Sequence, residues 1–86
     1  MAKRLFVGGL PYSMTDADLN QLFSKAGKVV SATVVMDRMT NRSKGFGFVE
    51  MSTEEEAAKA IKELSDTEVG GRKIVVKEAY PPKNQG

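Results

Sequence analysis

The sequence of 86 residues predicts an α+β sandwich with elements in the order β-α-β-β-α-β. Three observations lead there. One helical stripe of apolar residues occurs twice at a constant offset. Four strand-like runs surround the two stripes. One of those runs, Lys44-Gly45-Phe46-Gly47-Phe48-Val49-Glu50-Met51, sets two aromatics against residues suited to a core.

Arg4 to Gly8 reads as the first strand, because side chains alternate between faces: Leu5 and Val7 share one, Phe6 takes the other. Thr15 then N-caps a helix over about 16–26, with Asp18 three residues on, apolar Leu19, Leu22, Phe23 and Ala26, and Gly27 as the stop. Val29 to Asp37 is the second strand, with Ala32 and Val34 inward and Thr33 and Val35 outward. The third strand is 44–51, where Val49 and Met51 face the core and Phe46 and Phe48 face away. Thr53, Glu56, Ala57, Ala60, Ile61 and Leu64 repeat the first helical pattern 38 residues later and predict a helix over 54–64. Glu56 suits a reciprocal capping box better than Asp18. Arg72 to Glu78 is the fourth strand, with Ile74 and Val76 inward and Val75 and Lys77 outward.

Right-handed crossovers place the first and third strands side by side in the centre of an antiparallel sheet, with both helices on one face. Phe6 then neighbours Phe46 and Phe48 on the bare face. Fifteen inward residues from Leu5 to Val76 complete one core without these rings. Adjacent exposed aromatics on a small protein mark a binding surface. Flanked by a lysine and by bare glycine backbone, they suit a flat, anionic, stackable ligand, which is single-stranded nucleic acid.

Apolar content of 41% and charged content of 28% suit a globular domain and exclude a disordered chain. The chain contains neither cysteine nor histidine, which rules out disulfides and thiolate metal sites and removes the commonest general base. Residues 1–44 carry seven Lys/Arg against three Asp/Glu, while 45–86 carry six against eight, so the basic bias lies in the first half. No apolar run reaches membrane length, and Met1-Ala2-Lys3-Arg4 leads directly into a strand without a signal-peptide core. The expectation is a soluble intracellular protein, cytoplasmic with the nucleus open.

These residues resemble the RNA recognition motif family, a ferredoxin-like βαββαβ sandwich. Its octamer, K/R-G-F/Y-G/A-F-V-x-F/Y, is met by Lys44 through Met51 at every defined position but the last, where Met51 replaces a core-facing aromatic. Leu5-Phe6-Val7-Gly8-Gly9-Leu10 resembles the family hexamer, with Gly9 where asparagine is common, and the approach loop Asp37–Lys44 and the turn Gly71-Arg72-Lys73-Ile74 are similar too. The similarity spans roughly residues 3–79 and is nearest to small bacterial single-domain members and to cold-inducible glycine-rich proteins. It implies a non-enzymatic domain over 1–80, a short flexible tail over 81–86, no cofactor or metal, and a monomer that binds single-stranded RNA, with single-stranded DNA open because stacking tolerates both.

The resemblance also implies residue roles. Phe6 and Phe48 each stack a base, and Phe46 packs against sugar. Lys44 is expected to contact phosphate. Arg38 and Arg42, in a mobile loop, either clamp the strand or stand solvated. Arg4, Thr33, Val35, Val75 and Lys77 rim the platform where base edges are read, and Ala79 lies where contact is partly through backbone. Tyr80 opens the Pro-rich end and is either a further stacking ring or disordered. Gly45 and Gly47 are expected to let the helices approach the sheet. Two alternatives share the fold. A protein-interaction module would use the same rings on a peptide. An acylphosphatase-like enzyme would want an arginine after the first strand, and a metal chaperone a cysteine pair; Gly8 to Met14 offers neither.

Overall fold

The computed structural model describes residues 3–79. Its elements are β1 (Arg4–Gly8), α1 (Asp16–Ser24), β2 (Val29–Asp37), β3 (Arg42–Met51), α2 (Glu54–Leu64), β4 (Glu68–Val69), β5 (Arg72–Lys73) and β6 (Val75–Glu78). The main sheet has the order β2-β3-β1-β6 with all pairs antiparallel, so β1 and β3 are central as expected. Among the described residues no helix is long and apolar enough to cross a membrane.

The expected last strand divides. Arg72 and Lys73 turn away to pair with Val69 and Glu68, leaving Val75–Glu78 to pair with β1. Gly70 and Gly71 make this hairpin possible, since both hold positive φ, 60° and 84°. Between the two segments Ile74 is fully buried; its N–H bonds to the Thr67 carbonyl at 2.9 Å and its carbonyl accepts from Asp66 N–H at 2.8 Å.

Burial follows the two periodicities. Leu5, Val7, Val49, Met51 and Ile74 from the sheet meet Leu19, Phe23, Ala57 and Ala60 from the helices, together with Leu10, which the strand pattern does not include. α1 stops at Ser24, short of residue 26, where the Ser24 hydroxyl donates to the Asn20 carbonyl at 2.7 Å and competes with the helical ladder. Ala26 nonetheless stays buried. Asp16, at the start of α1, accepts the Val34 N–H at 2.7 Å, fastening the helix to the sheet's edge strand and blunting that edge.

Two irregularities set the register on β2 and β3. Val29 pairs with Met51 but Ser31 with Glu50, so Val30 is extra on β2 and is turned outward. This bulge puts Val29 on the same side as Ala32, which plain alternation forbids. Farther along, Val34 pairs with Gly47 and Met36 with Ser43, so β3 carries the surplus residues around Gly45. Gly45 sits at φ 84°, its N–H bonded to the Ser43 hydroxyl at 3.0 Å and its carbonyl to Leu10 N–H at 2.8 Å. The octamer glycines therefore do not serve helix approach. Gly45 supplies the bulge conformation, and a Cβ on Gly47 would strike the Thr33 carbonyl of the neighbouring strand.

The two capping boxes also differ from expectation. Thr15 and Asp18 close theirs in both directions, at 3.1 and 3.2 Å. Glu56 reaches farther: one carboxylate oxygen accepts the Lys28 N–H at 3.0 Å, and the other accepts the hydroxyls of Ser52 and Thr53. Gly27 leaves the space, since a Cβ there would come within 2.6 Å of the Glu56 Cγ. Chiefly the Ser52 hydroxyl, then the Lys28 N–H, holds the Glu56 carboxyl below its ordinary value of 4.5. A depressed pKa contributes stability that is present above the unfolded value and is lost as pH falls through the folded one. Glu56→Gln is expected to lower the urea midpoint at pH 7, with the gap to wild type narrowing as pH falls below 4.5. A gap that keeps its size as pH falls contradicts this.

Candidate nucleic-acid interface

The helix-free face of the sheet is built as cross-strand rows. Val75, Gly8 and Phe46 form one, Lys77, Phe6, Phe48 and Thr33 the next, and Arg4, Glu50 and Ser31 the third. The middle row crosses all four strands, a span of about 14 Å at ordinary strand spacing. The bulge at Gly45 intervenes between Lys44 and Phe46, yet both remain at this end of β3.

Phe6, Phe46 and Phe48 touch one another. Ring centroids lie 5.7 Å apart for Phe6–Phe46, 5.9 Å for Phe6–Phe48 and 6.4 Å for Phe46–Phe48, with interplanar angles of 35°, 67° and 89°. The rings are half-buried by this mutual packing, less exposed than alternation alone implies. Because Phe46 and Phe48 are perpendicular, one nucleotide cannot lie flat on both. One ring offers a face to a base while the other offers an edge or a flank, which suits the division between base and sugar.

Gly8 is what seats Phe6. A Cβ on Gly8 would lie 3.0 Å from Cε2 and 3.2 Å from Cζ of the Phe6 ring, so the ring leans along β1 over bare backbone. The hexamer pattern contains Gly8 but gives it no such role. Glu50 also went unnoticed in the sequence, although it stands exposed on this face opposite both Arg4 and Ser31.

Around the rings the expected residues fall into place unevenly. The Arg4 guanidinium carbon lies 5.2 Å from the Phe48 ring centroid, a cation–π contact that holds positive charge at the rim. Lys77 is exposed directly beside Phe6, and Thr33 is exposed beside Phe48. Lys44 and Val75 are exposed, and Val35 is half-buried next to the bulge. Arg42 is not in a free loop: it is the first residue of β3, paired with Asp37. Arg38 is exposed in the turn that follows β2. Asp37 orders that turn, accepting the Met39 and Thr40 N–H groups at 2.8 and 3.4 Å, while Asn41 takes the left-handed conformation at φ 58°. Ala79 donates its N–H to the Arg4 carbonyl at 2.8 Å; Tyr80 and 81–86 lie outside the described residues.

A second aromatic feature stands beyond the Phe46 end. Tyr12, in the β1–α1 loop, is 65% exposed, and the Arg72 guanidinium carbon lies 5.1 Å from its ring centroid. Its sequence signal was an aromatic in a loop that no core periodicity explains.

A four-stranded sheet with clustered rings and cations on its open face, and both helices behind it, is the plan of a nucleic-acid-binding module. The chain belongs to the RNA recognition motif family, whose model matches residues 5–75. It is 44% identical over 86 residues to small RNA-binding protein 11, chloroplastic, of Arabidopsis thaliana, and covers 100% of this chain and 59% of that protein. Glycine-rich RNA-binding protein 4, mitochondrial, of the same plant is 50% identical over 76 residues, covering 88% of this chain and 56% of its own length. The chain thus spans little more than half of these relatives. Among solved structures, that of RNA binding protein PG1 aligns with a TM-score of 0.88 at 49% identity, over 93% of this chain and 96% of that one.

Proposed function

We propose that this chain binds a short single-stranded RNA segment, two to four nucleotides long, across the open sheet face. The observation that carries this is the contact trio of Phe6, Phe46 and Phe48 on the side no helix covers. Phe6 and Phe48 stack bases, Phe46 packs against sugar, and Lys44 meets phosphate. Arg4, Lys77, Thr33 and Val35 contact base edges or backbone at the rim, with Arg38 and Arg42 at the hairpin end. Single-stranded RNA is preferred over DNA where rim polar groups reach the 2′-hydroxyl.

Two or three phosphate contacts give a shallow salt dependence. A plot of log K against log salt should have a slope of about −1.4 to −2.1, with a Kd on the order of micromolar at physiological salt. A slope near zero contradicts the phosphate contacts. A much steeper one contradicts an interface dominated by stacking. Calorimetric titration of short RNA at four salt concentrations measures both quantities.

The domain extends over 1–80 with 81–86 as a tail, and it acts as one copy because the rings that would make a dimer interface are assigned to RNA. Light scattering should return the mass of a single chain. RNA is an intracellular ligand, which supports a site of action in the cytoplasm or nucleus; the relatives named as chloroplastic or mitochondrial carry those locations themselves.

A further inference from the structure

We infer that Glu50 selects guanine as the base that stacks on Phe48, with the Ser31 hydroxyl beside it. The inference rests on the platform reading and adds a choice of base to it. Glu50 follows Phe48 by two residues on β3, so it shares the open face at a step of about 7 Å. Its cross-strand partners are Arg4 on β1 and Ser31 on β2. An acceptor therefore stands in the row next to the rings, and both Glu50 and Ser31 are exposed there.

The protein does not use this carboxylate. Arg4, the cation opposite it, instead sets its guanidinium carbon 5.2 Å from the Phe48 ring centroid. Among the described residues the Glu50 carboxylate has no hydrogen bond and no ion pair. Phosphate does not suit it either. Like charges repel, and a Debye length of about 8 Å at physiological salt does not screen that repulsion out over so short a step. The sugar-phosphate chain must pass elsewhere, leaving a base edge to face this row.

Hydrogen-bonding chemistry then sorts the four bases. An ionised carboxylate offers two acceptor oxygens and no donor. Guanine alone sets two donors side by side on its Watson–Crick edge, N1–H and N2–H, one for each oxygen. Adenine and cytosine offer an amino group beside a ring nitrogen whose lone pair would confront the second oxygen. Uracil holds its single N3–H between two carbonyl oxygens. Guanine O6 remains as an acceptor next to N1, and the Ser31 hydroxyl stands in the same row to donate to it. A site that leaves polar groups unpaired with the wrong base rejects that base.

The test is calorimetry on the full chain and its Glu50→Gln and Phe48→Ala variants. The probes are a five-nucleotide oligouridylate and the same RNA with guanosine, inosine or adenosine at its centre. Wild type should bind the guanosine RNA about tenfold tighter than the uridine and adenosine RNAs. Inosine, which lacks the N2 amino group, should fall between. Glu50→Gln exchanges one acceptor oxygen for a donor and should bind all four RNAs within about twofold of one another, at an unchanged thermal midpoint. A wild-type chain without the guanosine preference, or a Glu50→Gln variant that keeps it, overturns the readout and leaves the platform standing. A Phe48→Ala protein that binds all four RNAs like wild type overturns the platform, and this inference with it.

Discussion

Alanine at both Phe6 and Phe48 is expected to weaken binding of a short single-stranded RNA by about a hundredfold, with roughly tenfold or more from each ring. The factor follows from the loss of two stacking surfaces, each contributing about 1–3 kcal/mol per base. Sequence alone suggests that the thermal midpoint stays put, because the rings look surplus to the core. The packing of the rings changes that part. The three centroids lie 5.7, 5.9 and 6.4 Å apart, so each ring also packs on the others. Aromatic pairs contribute about 0.5–1.5 kcal/mol beyond their area. The double variant should therefore melt several degrees lower, at about 4–8 °C per kcal/mol for a domain of this size. Binding must be measured well below that midpoint. Wild-type affinity in the folded double variant would refute the platform.

Phe23→Ala should do the reverse. Phe23 is 0% exposed and belongs to the cluster that joins both helices to the sheet. Removing it costs about 3–5 kcal/mol. A domain this small has only about 5–15 kcal/mol in total, so the midpoint should fall by roughly 12–40 °C. RNA affinity, measured on the fraction that remains folded at low temperature, should be close to wild type. A Phe23→Ala protein with an unchanged midpoint would mean that the core is not where the structure puts it.

The repeated helical stripe made both helices legible, because five of the six paired positions, all but Thr15/Thr53, differ in size but keep their spacing. Alternation located β1, β2 and β3 within two residues and identified the ring-bearing face. What it missed was backbone that breaks alternation. The bulges at Val30 and Gly45 depend on pairing with a partner strand, and a single strand's pattern does not contain its partner. β5 hid within the run Arg72 to Glu78, which reads as one strand, and β4 is only two residues long. Glu56 gave a capping signal, yet its main partners lie on Lys28 and Ser52, one of them 28 residues away. In the site, Phe6, Phe46 and Phe48 were legible from spacing. Gly8 was not, since its role arises from the Phe6 ring that leans over it.

The proposed binding surface is the trio of sheet rings, on the side opposite the helices. Ring-proton NMR on the chain titrated with a short single-stranded RNA addresses it directly. Resonances of Phe6, Phe46 and Phe48 should shift progressively toward saturation, as stacked bases impose ring currents, while those of buried Phe23 hold still. If Phe23 and the helix residues around it move and the three sheet rings do not, the RNA binds elsewhere and the claim is wrong.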